Sequence, residues 1–257
     1  MERYTKRQLF LELRDRMLLA LAIGGVPVKT MGETNDLEDV YMLAGYNDPK
    51  LPSWFSHNQV ILRSAGFNLI KIMTPDMNLV PADESLRRRS YFGSIDAALF
   101  ADERPKRLYG VSAGGGGVQM YLDYLAKNNR TVRNQNGELL LREVGILHAR
   151  DLSSPQLAAY LENPAAYSPN DRTLLQEFRE IPPEVRGFYS QIGNEARDFA
   201  IQNGITVKIG YGTDDEQVPV HNGQDLARYF GVNGYEYAVG HMGIVEQPAH
   251  LQQIMSS

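Results

Sequence analysis

The sequence predicts an α/β protein: a mostly parallel β-sheet flanked by helices, with a small helical cap. Three observations carry this. Short apolar runs closed by turn residues recur along the chain, as expected of strands buried on both faces. Stretches with apolar residues at helical spacing separate them, and regular strand-helix alternation is the signature of a parallel sheet wrapped by helices. The chain has 257 residues, 43% hydrophobic and 22% charged, enough for one sizeable core and ordinary for a folded domain. One domain over residues 1–257 is expected, with residues 151–183 as the cap.

Taken in order, residues 17–23 (Met-Leu-Leu-Ala-Leu-Ala-Ile) read as the first buried strand, closed by Gly24-Gly25-Val26-Pro27. A polar segment over residues 28–53 follows as a long loop containing Glu33, Asp36, Glu38, Asp39 and Asp48. Trp54, Val60, Ile61 and Leu62 then repeat at helical spacing up to Gly66, a helix stop. Residues 68–73 read as a strand, 83–100 as a helix and 107–111 as a strand. Val118, Tyr121, Leu122 and Leu125 mark the next helix. A turn at Asn136-Gly137 leads to a strand over 144–148. Residues 151–183 carry short helix signals broken by prolines. A helix ending at Asn203, with Gly204 as its stop, precedes a strand over 205–209. A helix over 224–230 and a strand over 235–239 complete the pattern. No repeat at a solenoid period interrupts it.

Composition narrows the function classes. A formal net charge of -5 lacks the basic excess that binding to a phosphate backbone exploits, so no nucleic-acid partner is expected. With no cysteine, disulfides, thiolate metal sites and a cysteine nucleophile are excluded. Arg3, Lys6 and Arg7 precede the apolar run 17–23 and imitate a secretory leader, but Glu12, Arg14, Asp15 and Arg16 interrupt the approach, so the run reads as a strand. No apolar stretch reaches the ~20 residues needed to span a bilayer. The expectation is a cytoplasmic protein acting on a small molecule. No His-x-x-x-His or spaced Asp-Asn-Gly pattern accompanies the acidic residues, which leaves them as a solvated face rather than a metal site.

Gly110-Val111-Ser112-Ala113-Gly114 places a serine at a strand-to-helix junction. A turn tight enough to expose that hydroxyl is crowded, and Gly110, Ala113 and Gly114 supply the small flanking residues it demands. Glycines 115, 116 and 117 would each cost about 1 kcal/mol against alanine inside a helix, which points to close backbone packing or to approach of an anion at the helix start. The glycines do not supply the G-x-G-x-x-G of dinucleotide-binding turns, because Gln119 or Met120 stands at the final glycine position.

With these residues the chain resembles the α/β-hydrolase family over nearly its whole length. The family's chain order is serine, acid, histidine. Gly212-Thr-Asp-Asp215-Glu-Gln-Val-Pro219 looks like the family's acid loop and selects Asp215, with Asp214 and Asp151 as the competing acids. Gly240-His241-Met242-Gly243 follows the last strand and supplies the histidine. His57 and His250 fall in helices, His148 in a strand and His221 in a turn, where each reads as structural or exposed. The resemblance implies an oxyanion hole from the backbone N–H of Ala113 and from the turn after the first buried strand, for which Val26 is the candidate and Gly25 its alternative. Tyr41, Tyr46 and Trp54 are candidates to line a cleft.

These residues imply a serine hydrolase cleaving a carboxylic ester or thioester through an acyl-enzyme, with Ser112, His241 and Asp215 catalytic and no cofactor. Amide hydrolysis, acyl transfer and lyase chemistry are open on the same fold, as is a silent binding protein.

Overall fold

A computed structural model describes residues 37–43, 53–72, 84–155 and 191–257. Its centre is a six-stranded, all-parallel sheet. The strands in chain order are β1 (Glu38–Leu43), β2 (Phe67–Lys71), β3 (Lys106–Val111), β4 (Leu141–Leu147), β5 (Thr206–Gly212) and β6 (Gly234–Tyr237), and they lie side by side as β2-β1-β3-β4-β5-β6. The helices are α1 (Ser53–Ser64), α2 (Glu84–Leu99), α3 (Ala113–Lys127), α4 (Asn194–Asn203), α5 (Val220–Phe230), α6 (Gly243–Glu246) and α7 (Pro248–Ser256).

The chain runs from β1 outward to β2, then returns to the other side of β1 to build β3. The strand order therefore reverses between β1 and β3. A crevice opens beyond the carboxyl ends of the strands at such a reversal. Register brings these ends level: Leu43 lies opposite Gly110, Val111 opposite Leu147, Leu147 opposite Gly210, and Gly212 opposite Tyr237.

Successive strand side chains point to opposite faces, and two cores follow. Tyr41 and Leu43 join Leu108, Ile146 and Ile209 beneath Val118, Leu122 and Leu226. Val40, Met42, Tyr109 and Val111 face the opposite way, against Phe55, Leu62, Ile244 and Leu251. The predicted helix stops Gly66 and Gly204 have φ of 91° and 73°, a region that only glycine enters freely, and Gly231 closes α5 in the same way with φ 70°. Gly137 at the Asn136-Gly137 turn has φ 82°, and Arg133 bridges Leu139 antiparallel across that turn.

The segment 28–53, read from sequence as one polar loop, contains β1. Two of its acidic residues, Glu38 and Asp39, are paired: Glu38 meets Arg107 and Arg142, while Asp39 accepts from Arg104 at 3.0 Å and from Asn68 at 2.7 Å. Neutralised at the strand start, they permit the apolar run Val40-Tyr-Met-Leu43 to be buried. Tyr41 is accordingly a core residue rather than a cleft aromatic. Trp54 lies partly buried against the second core, edge-on to Phe55 at 5.8 Å. His221, assigned to a turn, belongs to α5. The expected strand 17–23, Val26, Gly25 and Tyr46 lie outside the described residues, as does most of the expected cap.

Candidate active site

Four neighbouring strands each deliver one polar side chain just beyond their carboxyl ends. β3 is followed by Ser112, β4 by His148, β5 by the turn holding Asp215, and β6 by the loop holding His241.

Ser112 occupies the sharp turn between β3 and α3, with φ 54° and ψ -121°. A non-glycine residue there costs about 1–3 kcal/mol and persists only where its surroundings over-determine it. The surroundings are visible. The Ser112 amide donates to the Leu147 carbonyl at 2.9 Å, continuing the sheet ladder, while its own carbonyl accepts from the Gly115 amide at 3.0 Å. A Cβ on Gly110 would fall 2.2 Å from the Gly114 carbonyl oxygen, so only glycine lets the helix start so close to the strand. A Cβ on Gly115 would meet the Ala149 Cβ at 2.5 Å, and one on Gly117 the Tyr91 hydroxyl at 2.1 Å. For Gly115 and Gly117 the reason is thus close packing. Ala113 opens α3, where the first amides have no intrahelical acceptor.

The imidazole of His241 has Nε2 at 2.8 Å from Ser112 Oγ. Its Nδ1 lies 2.9 Å from Asp215 Oδ2 and 3.1 Å from Oδ1. The loops carrying the two residues are stitched together: the Thr213 amide donates to the Tyr237 carbonyl at 2.8 Å and the Asp214 amide to the Val239 carbonyl at 3.2 Å. This approach requires Gly212, whose Cβ would sit 2.1 Å from the Val239 carbonyl oxygen.

Asp215 is buried, and burial alone would raise its carboxyl. Hydrogen bonds from His148, His241 and the Val218 amide outweigh that and hold it well below the usual carboxylate range. Its Oδ1 also accepts from the Gln217 and Val218 amides, at 2.9 and 2.8 Å. An ionised carboxylate only accepts, so the ring nitrogens facing it carry the protons. That leaves Nε2 of His241 as the acceptor toward the serine hydroxyl.

The competing acids are engaged elsewhere. Asp214 is exposed and its carboxylate meets the Thr213 hydroxyl at 3.1 Å. Asp151 lies buried beyond β4, where its carboxylate accepts from the Ser153 amide at 2.9 Å and from the Ser153 hydroxyl.

Sequence reasoning missed His148. It follows β4, has φ 47° and is fully buried, with Nδ1 at 2.9 Å from Asp215 Oδ2 and Nε2 accepting the Ile244 amide at 3.3 Å. Its ring meets that of His241 edge-on at 5.8 Å. A strand position and an apolar approach gave no signal, because the contact depends on two segments far away in sequence.

His148, Asp215 and His241 also form the acid-histidine group, among the described residues, whose atoms lie close enough to share a cation. The hydrogen-bond pattern opposes that use. A cation bound at Nδ1 of His148 would move its proton to Nε2, against the N–H of Ile244.

No family model matches the sequence, and no curated protein matches it. Solved structures do match the fold. The esterase RhEst1 from Rhodococcus sp. ECU1013 superposes with a TM-score of 0.55 at 17% identity, covering 87% of this chain and 90% of the esterase. MGS-MChE2, an α/β-hydrolase enzyme from a sediment metagenome of the lagoon of Mar Chica, Morocco, gives 0.54 at 13% identity, covering 86% and 89%. The thioesterase domain from the curacin biosynthetic pathway gives 0.55 at 9% identity, covering 88% and 93%. The chain has the α/β-hydrolase fold. Among the described residues no helix is long and apolar enough to cross a membrane.

Proposed function

We propose that this protein is a serine hydrolase that cleaves a carboxylic ester or thioester of a small molecule through an acyl-enzyme, without a cofactor. The observation that carries the reading is the continuous hydrogen-bonded chain from Ser112 Oγ through His241 to Asp215, set at the carboxyl edge of the sheet where strand order reverses.

Ser112 Oγ attacks the substrate carbonyl as His241 Nε2 takes its proton, giving a tetrahedral oxyanion. The carbonyl re-forms as the bond to the leaving group breaks, and the imidazolium returns the proton to that group. Water then attacks the acyl-enzyme with the same histidine as base, releasing the acid and restoring the serine. Asp215 holds the tautomer with Nε2 unprotonated and steadies the imidazolium. The Ala113 amide, freed at the start of α3, is one donor to the oxyanion.

The second donor is proposed from the turn after the first buried strand of the sequence, at Val26, with Gly25 as its alternative. Val26 and Gly25 both lie outside the described residues. Residues 151–183 are proposed as a cap over the crevice of a single domain.

A panel of ester, thioester and amide substrates, run on wild type and on Ser112→Ala, tests the reading. Hydrolysis of an ester or thioester that disappears with the serine hydroxyl supports it. Turnover undiminished in Ser112→Ala rejects it.

A further inference from the structure

We propose that His148 is a positioning residue, which fixes Asp215 and shares with His241 the carboxylate oxygen that supports the reacting imidazole. The inference rests on the serine hydrolase reading and adds to it a fourth member that does not touch substrate.

Asp215 Oδ2 lies 2.9 Å from Nδ1 of His241 and 2.9 Å from Nδ1 of His148. Both imidazoles donate to one oxygen, while two amides occupy the other. The carboxylate is therefore held on every side except along the bond to His241. When that ring becomes charged, Asp215 has no freedom to turn with it.

His148 is itself fixed. Its Nε2 accepts the Ile244 amide, so the ring is neutral with its proton on Nδ1, and both nitrogens are used. A protonated ring would set a second donor against that amide. The backbone after β4 is gripped by α3, the helix that follows Ser112: Gln119 donates to the Arg150 carbonyl at 2.7 Å and accepts from the Leu152 amide at 3.0 Å, while Ala149 packs against Gly115. A Cβ on Gly212 would come within 3.1 Å of the His148 ring, so the acid strand is shaped around it too.

Sharing has an electrostatic consequence. A donor from His148 draws on the carboxylate charge that would otherwise stabilise protonated His241. Among the described residues, the groups facing His241 are Asp215 from beyond β5, His148 from beyond β4 and Ser112 from beyond β3. Asp214 turns its carboxylate to Thr213.

Two substitutions separate a positioning role from a merely packed one. His148→Leu fills the space without a donor. His148→Asn returns an N–H near the place of Nδ1, and asparagine tolerates the positive φ. The His241 titration is followed by NMR, which needs no turnover, and kcat and KM are measured beside it. In His148→Leu the midpoint of that titration rises by about half a pH unit or more, and kcat falls about tenfold or more with KM within about threefold. His148→Asn moves the midpoint back toward wild type and recovers the larger part of the lost kcat. Equal midpoints in the two variants, or no displacement in either, overturn the proposal.

Wild type supplies a check that survives misfolding of either variant. The His148 ring resonances should follow the titration of His241 with the same midpoint, and resonances that ignore it reject the sharing of Oδ2. Loss of this coupling in a protein whose Ser112 still acylates removes His148 from the machinery and leaves the hydrolase reading standing.

Discussion

Nε2 of His241 lies 2.8 Å from the hydroxyl oxygen of Ser112 although 129 residues separate them in the chain. The contact joins the loop after β6 to the turn after β3, and it depends on the protonation of one ring. His241 accepts the serine proton only when neutral, so kcat/KM rises with pH as that ring loses its proton. Asp215 is held well below the usual carboxylate range and stays ionised throughout, so the rise has the slope of a single ionisation. The stability that Asp215 contributes is present above its unfolded value near ~3.9 and is lost only as pH falls below it toward the depressed folded value. Unfolding therefore does not shape the limb. A pH profile whose rising limb carries two coupled ionisations would contradict the assignment.

Asp215→Asn tests the tautomer argument. An amide in place of the carboxylate presents an N–H to one of the two imidazoles and favours the proton on Nε2 of His241. Activity should drop by as much as ~10⁴ while circular dichroism reports an intact fold. A loss below about tenfold would mean that Asp215 does not set the tautomer.

The elbow packing gives a prediction about stability. Gly115→Ala gains about 1 kcal/mol of helix propensity but drives a methyl to 2.5 Å from the Ala149 Cβ, and overpacking of this kind costs about 1–3 kcal/mol. The clash wins, and the melting temperature falls by about 2–4 °C for each net kcal/mol lost. Adding Ala149→Gly should recover more than half of the loss. A Gly115→Ala protein that melts higher than wild type would show that the contact is not tight.

Local chemistry made much of this legible in the sequence. Gly66 and Gly204 ended their helices because a left-handed residue is needed there, and the small residues around Ser112 announced the elbow. The loop holding Asp215 and the final histidine were legible through the family resemblance, by the motif over residues 212–219 and the implied chain order of serine, acid and histidine. β1 was not, because Glu38 and Asp39 look solvated until Arg104, Arg107 and Arg142 come within reach from elsewhere in the chain. His148 was illegible for a related reason: a histidine closing an apolar strand looks like a packed ring until Asp215 and Ile244 are placed beside it.

The central claim is that Ser112 is the nucleophile, and covalent labelling tests it most directly. A fluorophosphonate probe attacked by the serine hydroxyl expels fluoride and leaves a phosphonyl adduct, readable by intact mass and located by peptide mapping. We expect one adduct per chain, on Ser112, absent from Ser112→Ala and strongly slowed in His241→Ala. Stoichiometric labelling at another residue, with hydrolysis preserved in Ser112→Ala, would contradict the account.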